Sequence, residues 1–146
     1  MAADLILIAS PTHHEGDRVA HAMAQNGTYA FVYAVTTDAG VQVALNLQPE
    51  LVIAALPGRE GLALCERLRG LPETRTTRVM LVIERQFLSD ARAVGASSVL
   101  VQPASTLLVA HEARQTLERV ERRALWVADR RTVFRGGRRL TDAGVG

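Results

Sequence analysis

The residues most able to do chemistry lie in one short stretch, Thr12-His13-His14-Glu15-Gly16-Asp17. Two imidazoles and a carboxylate so close together are of the type that holds a divalent metal. Adjacent side chains diverge, however, and no distant Cys or His stands out as a further ligand. No bound metal is expected, and the stretch reads as a polar helix start with Glu15 and Asp17 favoured by the helix dipole. The single cysteine, Cys65, cannot form an internal disulfide, and its helical spacing with Leu64 and Leu68 makes it a core thiol. His21 and His111 fall inside helical stretches and read as ordinary histidines. All 17 basic residues are arginine, so no amine is present as nucleophile, Schiff-base former or titratable base. No aspartate occurs between Asp38 and Asp90, and Pro57-Gly58 is a turn without the Gly-Lys signature of a phosphate loop.

The elements that must position these residues are legible from hydropathy. Five continuous apolar runs, Leu5–Ala9, Phe31–Val35, Leu51–Ala55, Val79–Ile83 and Val99–Val101, suit strands buried on both faces of a parallel sheet. Amphipathic stretches of helical length separate them. Gly61, Leu64, Cys65 and Leu68 mark one stripe within Gly61–Leu71, and Ala110, Ala113, Leu117, Val120 and Ala124 mark another. Ser105 is placed to cap the last helix, Thr37 or Asp38 the second, and Gly95 to end a helix in the left-handed conformation. Right-handed crossovers then predict an α/β fold of three layers, α/β/α, with a doubly wound five-stranded parallel sheet.

The net charge of +2 hides an asymmetry: residues 1–111 carry eight arginines against ten acids, residues 112–146 nine against five. Residues 1–125 are expected to form the folded domain, and 126–146 an arginine-rich tail or a small hairpin, with Trp126–Val127 and Thr132–Phe134 as weak strands about a Gly136-Gly137 turn. Arg130, Arg131, Arg135, Arg138 and Arg139 are the candidate contacts to nucleic acid, in a segment similar to arginine–glycine sequences; a few phosphate contacts would give weak, salt-sensitive binding. Met1–Asp4 lacks the positive region of a signal peptide, and no stretch reaches the roughly 20 apolar residues of a membrane span, so a cytoplasmic location away from membranes is expected.

Three stretches resemble the receiver domain of two-component response regulators. Pro49–Ala55 with Pro57–Gly61 is similar to that family's third strand and following loop, Leu64–Arg69 to its third helix, and Gly95–Pro103 to its Gly-Ala-Asp-Asp-Tyr-Leu-x-Lys-Pro segment. The resemblance covers roughly residues 4–124 and implies the strand order 2-1-3-4-5 of the chemotaxis-regulator type. It places Ala55 where the family has its phospho-acceptor aspartate, Ala9 and Ser10 at the metal-binding acids, Ile83 and Val99 at the switch residues, and Gln102 at the lysine. If Pro57 matches the family proline, Ile53 takes the acceptor position instead, and still no aspartate is available. The resemblance therefore implies a pseudo-receiver: a non-phosphorylatable docking or regulatory module of two-component-type signalling, without enzyme activity or cofactor.

The same resemblance assigns partner contacts to the surface of the fourth helix, fifth strand and fifth helix. Arg92, Val101, His111, Arg114, Glu118 and Arg122 would carry a protein partner or a homodimer there. The fourth-helix region, Glu84–Gly95, looks about three residues shorter than usual for the family. Two further resemblances give alternatives. His13-x-x-Gly16 is similar to the loop of cobalamin-binding domains, although Pro11 stands where that family has Asp and Ile83-Glu84 where it has Gly-Gly. Val127–Asp129, Val133, Gly136 and Leu140-Thr141 resemble the opening strands of a winged-helix output domain, but no recognition helix follows before Gly146.

Overall fold

The computed structural model describes residues 3–133, and side-chain surroundings as far as Arg119. Among these residues two compact units are distinguished, the first ending at Thr116 and the second beginning at Leu117. The first unit holds the whole sheet. Its strands are β1 (Asp4–Ala9), β2 (Tyr29–Ala34), β3 (Leu51–Ala54), β4 (Arg78–Ile83) and β5 (Ser98–Val101). They pair in parallel in the order β2-β1-β3-β4-β5, with Ala9 level with Ala34 and Ala54, and Ile83 level with Val101. The expected fold and strand order are those observed.

Burial follows position in the sheet. Ile6, Leu7, Ile8 and Ala9 of β1, all of β3, and Val79–Ile83 of β4 are buried, while the outer strands β2 and β5 are half-buried. This is why the central runs are uninterrupted by polar residues: alternate side chains point to opposite faces, and both faces are covered. On one face Leu7, Ala9, Val52, Ala54, Leu81 and Ile83 pack with residues of α2 (Thr37–Leu47), α3 (Glu60–Arg69) and α4 (Leu88–Ala93). On the other, α1 (His13–Ala24) contributes buried Ala20 and Met23, and α5 (Thr106–Val133) contributes Val109, Ala110 and Ala113.

Local chemistry sets the helix ends. The Thr12 hydroxyl accepts from the Glu15 amide (3.2 Å) and starts α1; the Ser105 hydroxyl accepts from the Leu108 amide (3.1 Å) and starts α5, as expected. The cap of α2 is corrected from Thr37 or Asp38 to Thr36, whose hydroxyl accepts from the Ala39 amide at 3.1 Å. Thr37 instead donates its hydroxyl proton to the Glu60 carbonyl. Gly95 takes a φ of 84° two residues after α4, which is only six residues long and is preceded by a single 3-10 turn, Arg85–Phe87.

Helix α5 continues through Val133, so Trp126–Val127 and Thr132–Val133, read as strand-forming, are helical. Phe134 and the Gly136-Gly137 turn, like the winged-helix resemblance beyond Val133, lie outside the described residues.

One arginine ties three connections together. The Arg69 guanidinium donates to the carbonyls of Gly95 (3.0 Å), Arg75 (3.2 Å) and Thr77 (2.6 Å). It thereby links the end of α3, the loop into β4 and the turn after α4. Arg67 pairs with Asp38 across α3 and α2, and Cys65, fully buried, points its thiol at the Val94 carbonyl. Replacing Arg69 by Ala leaves three carbonyls to find other donors, and is expected to lower stability by about 2 kcal/mol in urea denaturation. Arg69→Lys should recover only part of this, because an ammonium cannot span the same fork of acceptors.

Candidate functional site

In open α/β sheets, ligands bind at the carboxyl ends of the strands where the winding reverses, here between β1 and β3. Three backbone bonds carry the ladder past the strand ends at this edge. The Ser10 amide donates to the Ala34 carbonyl (3.0 Å), the Ala55 amide to Ala9 (2.7 Å) and the Gln102 amide to Ile83 (2.7 Å). Ala9, Ser10, Ala55, Ile83 and Gln102, singled out from the sequence, therefore lie along one edge. Ala9, Ser10 and Ile83 are buried, Ala55 is half-buried and Gln102 is exposed, joined to Pro103 by a cis peptide. Val99 is level with Leu81 on β5, two residues short of that edge. The Ser10 hydroxyl is occupied, donating to the Thr12 carbonyl at 2.8 Å.

Two clefts open here. The larger, about 530 Å³, runs between the α1 and α5 side of the sheet and meets Ser10, Ala55 and Gln102. The smaller, about 140 Å³, lies over Ala55, Ile83 and Gln102 against the Pro57-Gly58 turn. Glu15 borders both and Glu84 borders the smaller; among the residues lining the two, these are the acids. Among the described residues, no three His, Cys, Asp or Glu side chains converge as metal ligands.

The Thr12–Asp17 stretch forms the first turn of α1 at this edge, and its side chains are exposed except for Gly16. His13 does not turn toward a ligand set with His14 and Glu15. Its ring meets Tyr33 edge-on, with centroids 5.8 Å apart and planes at 66°. Gly16 has a packing reason: a Cβ there would come within 2.9 Å of the Tyr33 ring and 3.2 Å of the Ser10 hydroxyl, so only glycine lets α1 sit this close to β1 and β2. Tyr33 completes the group, with Asp17 acting on its phenol. Burial first, and then Asp17, push the Tyr33 phenol up from its ordinary value.

Of the partner-surface residues, Arg92 and His111 are exposed and Val101 and Arg114 half-buried in the first unit. Glu118 is an exposed residue of the second unit, and the Arg122 side chain lies outside those described. Arg130 and Arg131 fall within the helical span of α5, with their side chains outside the described set, and Arg135, Arg138 and Arg139 lie outside the described residues altogether. Two features went unnoticed in the sequence. Leu107 and Leu108, in the first turn of α5, are 74% and 45% exposed. The signal for them was present: adjacent residues of a helix point about 100° apart, and the apolar stripe begins only at Val109 and Ala110. Arg59 is the other, pairing with Asp90 (3.2 Å) while its guanidinium lies 5.5 Å from the Phe87 ring centre, which fixes the short α4 to the loop before α3.

Among solved structures, a receiver domain of a signal-transduction histidine kinase from Syntrophus aciditrophicus superposes with a TM-score of 0.71 at 24% identity, covering 82% of this chain and 94% of that one. The fold is the receiver fold. A CheY-like receiver domain from Methanospirillum hungatei gives a TM-score of 0.71 at 19% identity (84% and 99% covered), and a chemotaxis response regulator of Vibrio cholerae gives 0.69 at 16% (79% and 99%). No family model matches the chain, and neither does any curated protein.

Tyr33 gives a pH test of the α1 contact. Its raised value means the folded state holds the phenolic proton more tightly than the unfolded chain. The stabilisation is complete below about pH 10, the unfolded tyrosine value, and is lost as pH rises through the folded value. In a Tyr29→Phe background, phenolate absorbance should titrate above pH 10, and Asp17→Asn should move the midpoint down. An unshifted midpoint in both would show that Asp17 does not act on Tyr33.

Proposed function

We propose that the chain is a receiver-like module of two-component-type signal transduction that works without phosphorylation, as a protein docking or regulatory element. The observation that carries this reading is the make-up of the carboxyl edge, where Ala9, Ser10, Ala55, Ile83 and Gln102 come together without a carboxylate or a cationic side chain among them. Phosphoryl transfer to a receiver needs a carboxylate as nucleophile, oxygen ligands for a hard cation, and a positive group against the transferring phosphoryl. Alanine at position 55 supplies no nucleophile, Ala9 and Ser10 no acidic ligands, and the Gln102 amide no charge. The receiver fold of the neighbouring structures supports the signalling context.

A fold kept while its acceptor chemistry is absent points to what its surface does. The first turn of α5 exposes Leu107 and Leu108. Two adjacent exposed leucines suit a protein partner better than bulk water.

The direct test is intact-mass measurement after incubation with Mg²⁺ and acetyl phosphate. The wild-type chain should gain no phosphoryl group, and Ala55→Asp should stay unmodified too, because no acid pair or lysine supports the new carboxylate. A stable phosphoryl adduct on the wild type, mapped to Glu15 or Glu84, would overturn the reading.

A further inference from the structure

The larger cleft of the first unit has no part in the docking reading, and its construction is unlike that of a phosphate or metal site. Its lining is largely aliphatic: Val19, Ala55 and Ala104 are half-buried and Pro103 exposed, above the buried Ile8, Ile53, Val82 and Val109, and Ala55 leaves space where a larger side chain would fill it. Its mouth is polar and carries Arg18, Gln102, Thr106 and Glu15. The volume of about 530 Å³ falls within the range of small-molecule pockets, roughly 300–1,000 Å³. An apolar floor with a few convergent polar groups selects an amphipathic ligand: hydrocarbon gains by leaving water, whereas a bare phosphate or hydrated cation would lose its hydration for nothing.

The rim decides the head group. Among the described residues, neither Arg18 nor the Gln102 amide side chain has a hydrogen-bond or ion-pair partner, so both keep their donors for a ligand. The Thr106 hydroxyl supplies a third donor on the α5 side. Glu15 is the one acid at the mouth, and it also borders the smaller cleft, which Arg18 does not line. A guanidinium is the side chain best matched to a carboxylate, which it meets with paired donors.

We propose that this cleft binds a small organic acid with an apolar body, its hydrocarbon lying against Val19, Ala55 and Ala104 and its carboxylate held at the mouth by Arg18. This proposal rests on the cleft and not on the docking reading.

Calorimetric titration of the intact chain with hexanoate, octanoate and decanoate, below their micellar concentrations, tests it. Binding should saturate at one equivalent and tighten up to about fourfold per added methylene. Decanol and decylammonium should bind more weakly than decanoate. Ala55→Phe, which fills the floor, should abolish binding. Arg18→Ala, at an exposed position that leaves the core intact, should weaken decanoate about tenfold while leaving decanol unchanged. The proposal fails if decylammonium binds as well as decanoate, if Arg18→Ala has no effect on decanoate, or if no saturable binding is seen for any chain length.

Discussion

Strands β1, β3 and β4 have no face open to water, and most of the molecule follows from that. A parallel sheet buried on both sides must be covered by its own crossover connections, so helices lie on each face. Every loop that returns from a strand's carboxyl end then emerges along one edge. The reversal of winding between β1 and β3 parts two of those loops, one leading into α1 and the other into α3, and clefts open beside them. Ser10, Ala55 and Gln102 do not need to be neighbours in sequence, because the ladder that pairs Ala9 with Ala54 and Ile83 with Val101 brings their loops together. A change that shifts this register by one residue would turn the apolar floor of the cleft to the opposite face.

The residues at that edge are consistent with one another. Several carboxylates gathered without a cation would repel and raise one another's pKa, so acidic groups there are tolerable only with a metal to balance them. Alanine at 9 and 55 and isoleucine at 83 instead let the strand ends pack, and Ser10 spends its hydroxyl on the Thr12 carbonyl at 2.8 Å. Ala55 and Ile83 also give the clefts at this edge part of an aliphatic lining. Gly16 shows how tightly the arrangement is held. With Tyr33 and Ser10 both within contact of an added Cβ, a side chain at this position would push α1 away from the sheet.

Much of this was legible from residue order because the strands announce themselves. A continuous run such as Leu51–Ala54 has no other economical reading in a chain of this size, and the glycine at 95 and serine at 105 mark their helix ends through backbone chemistry that is local. The errors have equally local causes. Thr36, Thr37 and Asp38 are all competent caps, and only the extended backbone at Thr36 decides among them. Trp126–Val127 and Thr132–Val133 carry strand-prone residues, but Glu118 and Arg122 stand four apart, a spacing that favours helix, and Ala124, Leu125 and Ala128 are good helix formers. The cleft could not be read from sequence at all. Ile8, Ile53, Val82 and Val109 come from four separate elements, and each alone is an ordinary core residue.

The first turn of α5 belongs to two environments at once. Thr106 and Val109 face the larger cleft, while Leu107 and Leu108 on the same turn are exposed. A molecule in the cleft and a protein on the leucines would therefore bear on one turn of helix from opposite sides. Proximity alone does not couple them. Coupling requires that the ligand prefer one placement of that turn over another, and its strength cannot exceed that preference. The turn is anchored at its start by the Ser105 cap and downstream by buried Ala110 and Ala113, so it can shift only by repacking Val109 against the sheet. The available contact between this edge and the helix is apolar, between the cleft lining and Val109. A ligand that fills the floor would hold Val109 in place, and one that leaves it empty would not, which makes the occupancy of that floor the physical variable through which this edge could influence the exposed leucines.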